Sequence, residues 1–305
     1  MASALPKSFA WSRLRLFFVF LSAVTLVWST TLWGATATRR DAKGNLNPVR
    51  KISHEEGEQR LAAFRNQRLS GDYCFQFELV EKPRRGEATH YYGLLWGRWT
   101  PFGPQTRLSL WPKQPVTDID RIQVLVYGGP QPQAWLKAQG STEVQAIKDA
   151  DLLNPLIATL LYTPFDLQMP FIFWEKWSYE GATRLQGRPT HLFSMYPPEG
   201  FVKANPNIGS VRIALDEGFN VMLRAQVVSP NGKIEREFSA ISFKKVGEQW
   251  VVKSIKLVDL TTRDKSQFTV LSAALNPGLD PSIFDPNTLA TMPELPKSLE
   301  FVSLN

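Results

Sequence analysis

The chain has 305 residues, 43% hydrophobic and 21% charged, which is enough apolar material for a sizeable core and excludes wholesale disorder. Lys plus Arg number 35 against 28 Asp plus Glu; the net charge of +7 is spread thinly, with Lys7, Arg13 and Arg15 ahead of the first apolar run, so no nucleic-acid footprint is visible. The single cysteine, Cys74, excludes an intramolecular disulfide and a cysteine-based zinc cluster, and the scattered His54, His90 and His191 show no metal-ligand or triad spacing.

Residues 16–37 (LFFVFLSAVTLVWSTTLWGATA) carry no charge and follow Arg13 and Arg15. A basic start, an apolar run and the small-x-small Ala35-Thr36-Ala37 form the order of a secretory signal. The expectation is a signal peptide over 1–37, cleaved after Ala37, and a periplasmic protein. The alternative is an uncleaved inner-membrane anchor, because the run is about long enough to span a bilayer. No cysteine stands at a lipobox position. In an oxidising compartment the lone Cys74 reads as a buried core thiol rather than a redox site.

Residues 38–52 are largely polar and read as a flexible lead to a domain over 53–305. Ser53 and Glu56 make a capping-box pattern, which starts a helix with Leu61, Phe64, Arg65 and Leu69 on one face. Period-two strands follow at 72–80, 89–99, 105–111 and 121–129. In the first, Tyr73, Phe75, Phe77 and Leu79 share a face, while Cys74, Gln76, Glu78 and Val80 take the other. Residues 141–161 place Val144, Ile147, Leu152, Leu156 and Leu160 at roughly helical spacing, which predicts a helix split at Pro155. Seven more strands follow at 177–185, 189–197, 210–216, 219–228, 233–245, 249–260 and 265–275, joined by short turns such as Pro230-Asn231-Gly232. The proline-rich tail from Asn276 should wrap the sheet edge or face. About eleven strands with two or three helices, and no strand-helix alternation, indicate a mainly β (α+β) fold. The expected form is a partly closed antiparallel barrel plugged by its helices.

Three stretches resemble the LolA/LolB superfamily of periplasmic lipoprotein-sorting proteins. They are 151–198, with turns at Gly181 and Gly187-Arg188-Pro189; 224–260; and 268–289, closed by Phe284 and Leu289. The likeness is greatest to the uncharacterised outer-membrane lipoprotein-sorting branch. It implies an unclosed half-barrel of about eleven strands with a helical lid over a hydrophobic cavity that accepts acyl chains. In the best-known carriers an arginine on a strand holds the lid; no residue here aligns with it, so none is assigned.

Aromatics make up 12% of the chain, with 10 Trp. Phe75, Phe77, Tyr91, Trp96, Trp111, Phe171, Phe173 and Trp174, with Leu156 and Leu160 of the expected lid, are candidates for lining an acyl site; the plainer reading is ordinary core. Burying each acyl methylene yields about 0.8 kcal/mol, so a dry cavity suffices for binding. Met169 to Trp174 reads either as a lid or membrane-touching loop, or as a buried connector. Arg84-Arg85 and Lys244-Lys245 read as solvated turn charges, His191 as a hydrogen-bonded strand residue, and the pairs Asp118/Asp120 and Asp149/Asp151 as loop caps. No catalytic constellation and no cofactor motif is present. The leading expectation is a monomeric periplasmic carrier of lipoprotein acyl chains or another lipid, handing them to an outer-membrane acceptor. The alternative is a sensor or protein-interaction module of the same fold, resembling RseB-type regulators, with a membrane protein as partner.

Overall fold

The computed structural model describes residues 49–112, 117–297 and 299–304. The expected signal peptide and nearly all of the lead to residue 52 lie outside the described residues.

Helix α1 (His54–Arg65) begins where expected: the Ser53 hydroxyl accepts the Glu56 N–H at 3.1 Å. The Glu56 carboxylate turns instead to Arg50, 2.6 Å away. The strands are β1 (Tyr73–Lys82), β2 (Thr89–Thr100), β3 (Gly103–Pro112), β4 (Ile122–Tyr127), β5 (Gln133–Lys137), β6 (Val144–Ala146), β7 (Trp177–Leu185), β8 (Arg188–Met195), β9 (Ser210–Asp216), β10 (Met222–Val228), β11 (Ile234–Val246), β12 (Gln249–Asp259), β13 (Lys265–Leu275) and β14 (Val302–Ser303). They form one antiparallel sheet in the order β6-β5-β4-β3-β2-β1-β13-β12-β11-β10-β9-β8-β7, with β14 added on β13. The sheet is not closed: β6 and β7 are its edges. All eleven expected strands are present; β5, β6 and β14 are additional. Two short helices complete the regular structure, α2 (Pro164–Gln168) and α3 (Glu199–Ala204). Among the described residues no helix is long and apolar enough to cross a membrane.

The helix expected over 141–161 does not form. Val144 to Ala146 is a strand, and Asp149–Asp151 is a single 3-10 turn. Past it the chain folds back so that the Leu156 N–H bonds the Tyr162 carbonyl at 3.1 Å. Pro155 has no N–H to donate to a helix and pushes Asn154 out of the helical region. The four-residue spacing of Leu152, Leu156 and Leu160 is nonetheless meaningful. All three are buried, delivered to the sheet by successive turns rather than by one helix face.

Both faces of the sheet are apolar over much of their extent. Tyr73, Phe75, Phe77 and Leu79 of β1 join the larger core with Tyr91, Leu95, Leu108 and Leu110, on what we call the inner face. Cys74 of β1 joins Leu94, Trp96 and Leu125 on the outer face, under Leu279, Ile283, Phe284 and Leu289 of the C-terminal tail. The Cys74 thiol is fully buried, and burial pushes its pKa up to about 12, the inert core thiol that was expected.

The inner face is flattened by two glycines of β2. A methyl group on Gly97 would stand 1.9 Å from the Tyr73 ring, and one on Gly93 would stand 2.2 Å from Phe77. The two aromatic rings therefore lie across the neighbouring strand where any side chain would collide. Gly97→Ala is expected to lower stability by about 1 to 3 kcal/mol, the usual range for overpacking. Denaturant unfolding would check this; an unchanged midpoint would show that Tyr73 can move aside freely.

Candidate functional site

Residues 152–174 cover the inner face. Thr163 caps α2 and Pro164 occupies its first position. The Thr163 N–H and hydroxyl donate to Asp166 Oδ2 at 2.8 and 2.7 Å, fixing the carboxylate in place. Met169 then adopts the left-handed conformation (φ 47°), which ends α2 and starts a 3-10 turn over Pro170–Phe173. Phe165 packs between Phe171 and Phe201 of α3, each with ring centres 5.8 Å away, and Trp174 lies 5.2 Å from Phe201. The stretch 169–174 is thus a buried connector for the most part, with Phe173 half-buried, and not an exposed loop.

Two arginines fasten this cover to the rest of the molecule. Arg65, at the end of α1, donates to the carbonyls of Ile172 and Trp174 at 2.7 and 2.6 Å. Arg236, on β11, forms a two-pronged pair with Asp166: Nε to Oδ1 at 3.0 Å and Nη2 to Oδ2 at 2.6 Å. Its Nη2 also donates to the Leu161 carbonyl. The side chain of Arg236 is 18% exposed and that of Asp166 6%. Fork-to-carboxylate pairing of this kind is among the stronger polar contacts. Thr159 adds a hydroxyl contact of 2.7 Å to Tyr91.

Among the described residues, two small voids lie beneath the cover. One void lies among Phe77, Leu79, Leu108, Leu156, Tyr162 and Leu167, with Leu110 and Phe268 closing it. A second lies beyond α2, among Phe165, Asp166, Phe171, Val211, Arg236 and Phe238. Each has about 20 Å³ open to the centre of a water molecule, which is room for about one water. The lining of both is mainly apolar, and neither is large enough for an acyl chain.

The sequence-derived candidates divide between the two faces. Phe75, Phe77, Tyr91, Leu156, Leu160, Phe171 and Trp174 all belong to the inner core, and Phe173 packs against it. Trp96 and Trp111 do not. They lie on the outer face beneath or beside the C-terminal tail. The reason is strand parity: Trp96 is five residues from Tyr91 on β2, so the two must point to opposite sides. Trp111 alternates with Leu108 and Leu110 in the same way. Arg236, the inner-face cation, was missed. Its signal was the same parity, since it shares a face with the buried Phe238 and Ala240 of β11.

The remaining titratable candidates are structural. His191 is fully buried, with Nδ1 3.1 Å from the Tyr179 hydroxyl, and burial lowers its pKa. Asp118–Asp120 and Asp149–Asp151 form 3-10 turns. Among the described residues no group of three or more His, Cys, Asp or Glu could hold a metal ion.

A family model described only as an uncharacterised protein matches residues 166–291. No curated protein matches. Among solved structures, this chain is similar to a provisionally assigned outer membrane lipoprotein-sorting protein domain from Vibrio parahaemolyticus, at 16% identity and a TM-score of 0.65, over 78% of this chain and 97% of that one. It is also similar to a DUF1329 family protein from Desulfovibrio piger, at 12% identity and a TM-score of 0.60, over 72% and 92% of the two chains. A LolA superfamily protein from Nitrosomonas europaea matches at 10% identity and a TM-score of 0.51, again over 72% and 92%. The fold is therefore LolA-like, as the sequence resemblance implied.

Beside Arg236 stands a second acid. Glu81 of β1 is 6% exposed and accepts the Ser266 hydroxyl at 2.8 Å. Burial pushes its carboxyl up to about 7, against the opposing pull of Ser266, the Leu161 backbone and the Arg236 charge. The folded protein thus holds a proton that the unfolded chain releases near the ordinary carboxylate range. This contribution to stability is full below that range and is lost as pH rises through about 7. Thermal melts at pH 5 and pH 8 should show the wild type losing stability at the higher pH relative to Glu81→Gln. Parallel pH profiles for the two proteins would refute the assignment.

Proposed function

We propose that this protein is a periplasmic acyl-chain binding protein that carries a lipid, or the lipid part of a lipoprotein, between the inner face of its sheet and the 152–174 cover. The observation that carries this reading is the construction of the cover. It is apolar beneath, yet it is fastened by a charge pair to Arg236 and by backbone carbonyls to Arg65. A core meant only to be solid is built more stably from apolar contacts alone, because a buried ion pair recovers little more than its desolvation cost. A charge pair gives a cover a discrete closed position that can be left and regained. With the cover lifted, Phe75, Phe77, Tyr91, Leu108, Leu110 and Phe268 offer a continuous apolar floor, and Leu156, Leu160, Phe171, Phe173 and Trp174 an apolar roof. Binding there needs no catalytic residue, since each buried methylene contributes about 0.8 kcal/mol. The similarity to a lipoprotein-sorting domain agrees with this reading, as does the export signal read from residues 1–37.

The small size of the two voids favours a second reading, a sensor or protein-interaction module of the same fold whose cover never opens to lipid. The two differ in what they bind. Native mass spectrometry of the protein taken from periplasm should reveal a bound lipid or acylated peptide. Mixed with donor and acceptor vesicles, the protein should speed transfer of a labelled acyl lipid. No bound lipid and no transfer, together with a stable protein partner captured by cross-linking, would decide for the interaction module.

A further inference from the structure

The pair between Arg236 and Asp166 spans two parts of the molecule that must separate if the cover lifts. Arg236 is carried by the sheet; Asp166 is carried by α2 of the cover, locked there by Thr163. Lifting the cover therefore removes the carboxylate and the Leu161 carbonyl from the guanidinium together. An acyl chain entering the lumen would then exclude water from an arginine that has lost its counter-ion, and a buried unpaired charge is strongly unfavourable. Glu81 is the other acid near Arg236, but the Ser266 hydroxyl holds it on the sheet, and below about pH 7 burial keeps it protonated. The voids lie on both sides of the pair: Arg236 and Asp166 line one directly, and Leu167, next to Asp166, lines the other.

We propose that the ligand of this lumen is an amphiphile with an acidic head, whose carboxylate or phosphate replaces Asp166 on Arg236 while its chain fills the space between cover and sheet. The inference rests on the acyl-binding reading above and specifies the ligand's charge. Asp166 is then a stand-in for the ligand's own anion. Its two-pronged geometry shows what the guanidinium accepts, two oxygens on one centre, which both carboxylate and phosphate supply. Binding and closure compete for one cation, so the ligand itself opens the latch.

The test compares three sixteen-carbon probes on the full-length protein, by quenching of tryptophan fluorescence at pH 6, where Glu81 stays protonated: hexadecanoate, hexadecyl phosphate and hexadecanol. Both anions should bind at least about tenfold more tightly than the alcohol, the scale of a charge-assisted hydrogen bond. Whichever of the two binds more tightly identifies a fatty-acid-like or a phospholipid-like head. In Arg236→Gln this preference should collapse, with alcohol binding retained. Asp166→Asn, which leaves Arg236 without its counter-ion, should increase the preference for anions, and it serves in place of the first variant if that does not fold. An alcohol that binds wild type as tightly as the anions would overturn the proposal while leaving acyl binding intact; Glu81 taking over the guanidinium would give that result. A preference that survives Arg236→Gln would also overturn it. Failure of all three probes would overturn the acyl-binding reading and this one together.

Discussion

A sheet that is apolar on both faces cannot stand alone in water, and most of this structure answers that constraint. Strands β1 to β4 alternate large apolar residues to both sides: Phe75 and Phe77 inward, Cys74 outward; Leu95 inward, Leu94 and Trp96 outward; Val124 inward, Leu125 outward. Each face must be covered by chain that the sheet does not itself use. The segment 152–174 takes the inner face, and the tail from Leu279 takes the outer one. Neither cover is built of long regular structure. Both consist mostly of turns, short 3-10 pieces and prolines that bring apolar side chains down at intervals, with the five-residue α2 in the inner one.

Covers of this kind carry many backbone groups without sheet or helix partners, and buried arginines satisfy several of them. Arg107 of β3 is 1% exposed and donates to the carbonyls of Ile283, Thr288, Leu289 and Thr291 in the tail. Arg65 does the same for Ile172 and Trp174 in the inner cover. Arg236 differs because its main acceptor is a carboxylate. A guanidinium surrounded by carbonyls is a permanent fitting: its acceptors belong to the backbone of the covering segment, and burial lowers its pKa to about 10 without threatening its charge at neutral pH. A guanidinium paired with one carboxylate can exchange that carboxylate for another anion. The outer cover is thus held by its arginine through backbone carbonyls, whereas the inner one is held through carbonyls by Arg65 and through a carboxylate by Arg236.

This division gives the LolA-like fold its two layers of use. The outer face holds Cys74, Trp96 and the tail in a dense packing that stabilises the sheet. Among the described residues the inner face holds two water-sized, mainly apolar voids under the 152–174 cover. The polar set Glu81, Arg236, Asp166 and Thr163 sits where the cover leaves the sheet, and movement there alters hydrogen bonds and charge at once.

The sequence by itself determined the strands, because period-two alternation is a local property of the backbone. It placed all eleven expected strands, the start of α1 at Ser53, the burial of Cys74 and the membership of Phe75, Phe77, Tyr91, Leu156, Leu160, Phe171 and Trp174 in one apolar set. Parity also contained the information that Trp96 and Trp111 face the other way, although aromatic content alone had grouped them with the rest. What only the tertiary structure decided lies in segments without a period. The leucines of 152–160 mimic helical spacing, yet Pro155 and the sheet beneath them fix a chain of turns instead. The pairing of Arg236 with Asp166 joins residues 70 positions apart. No local pattern encodes it, because it exists only once β11 and α2 are brought face to face by the packing of both against the same inner surface.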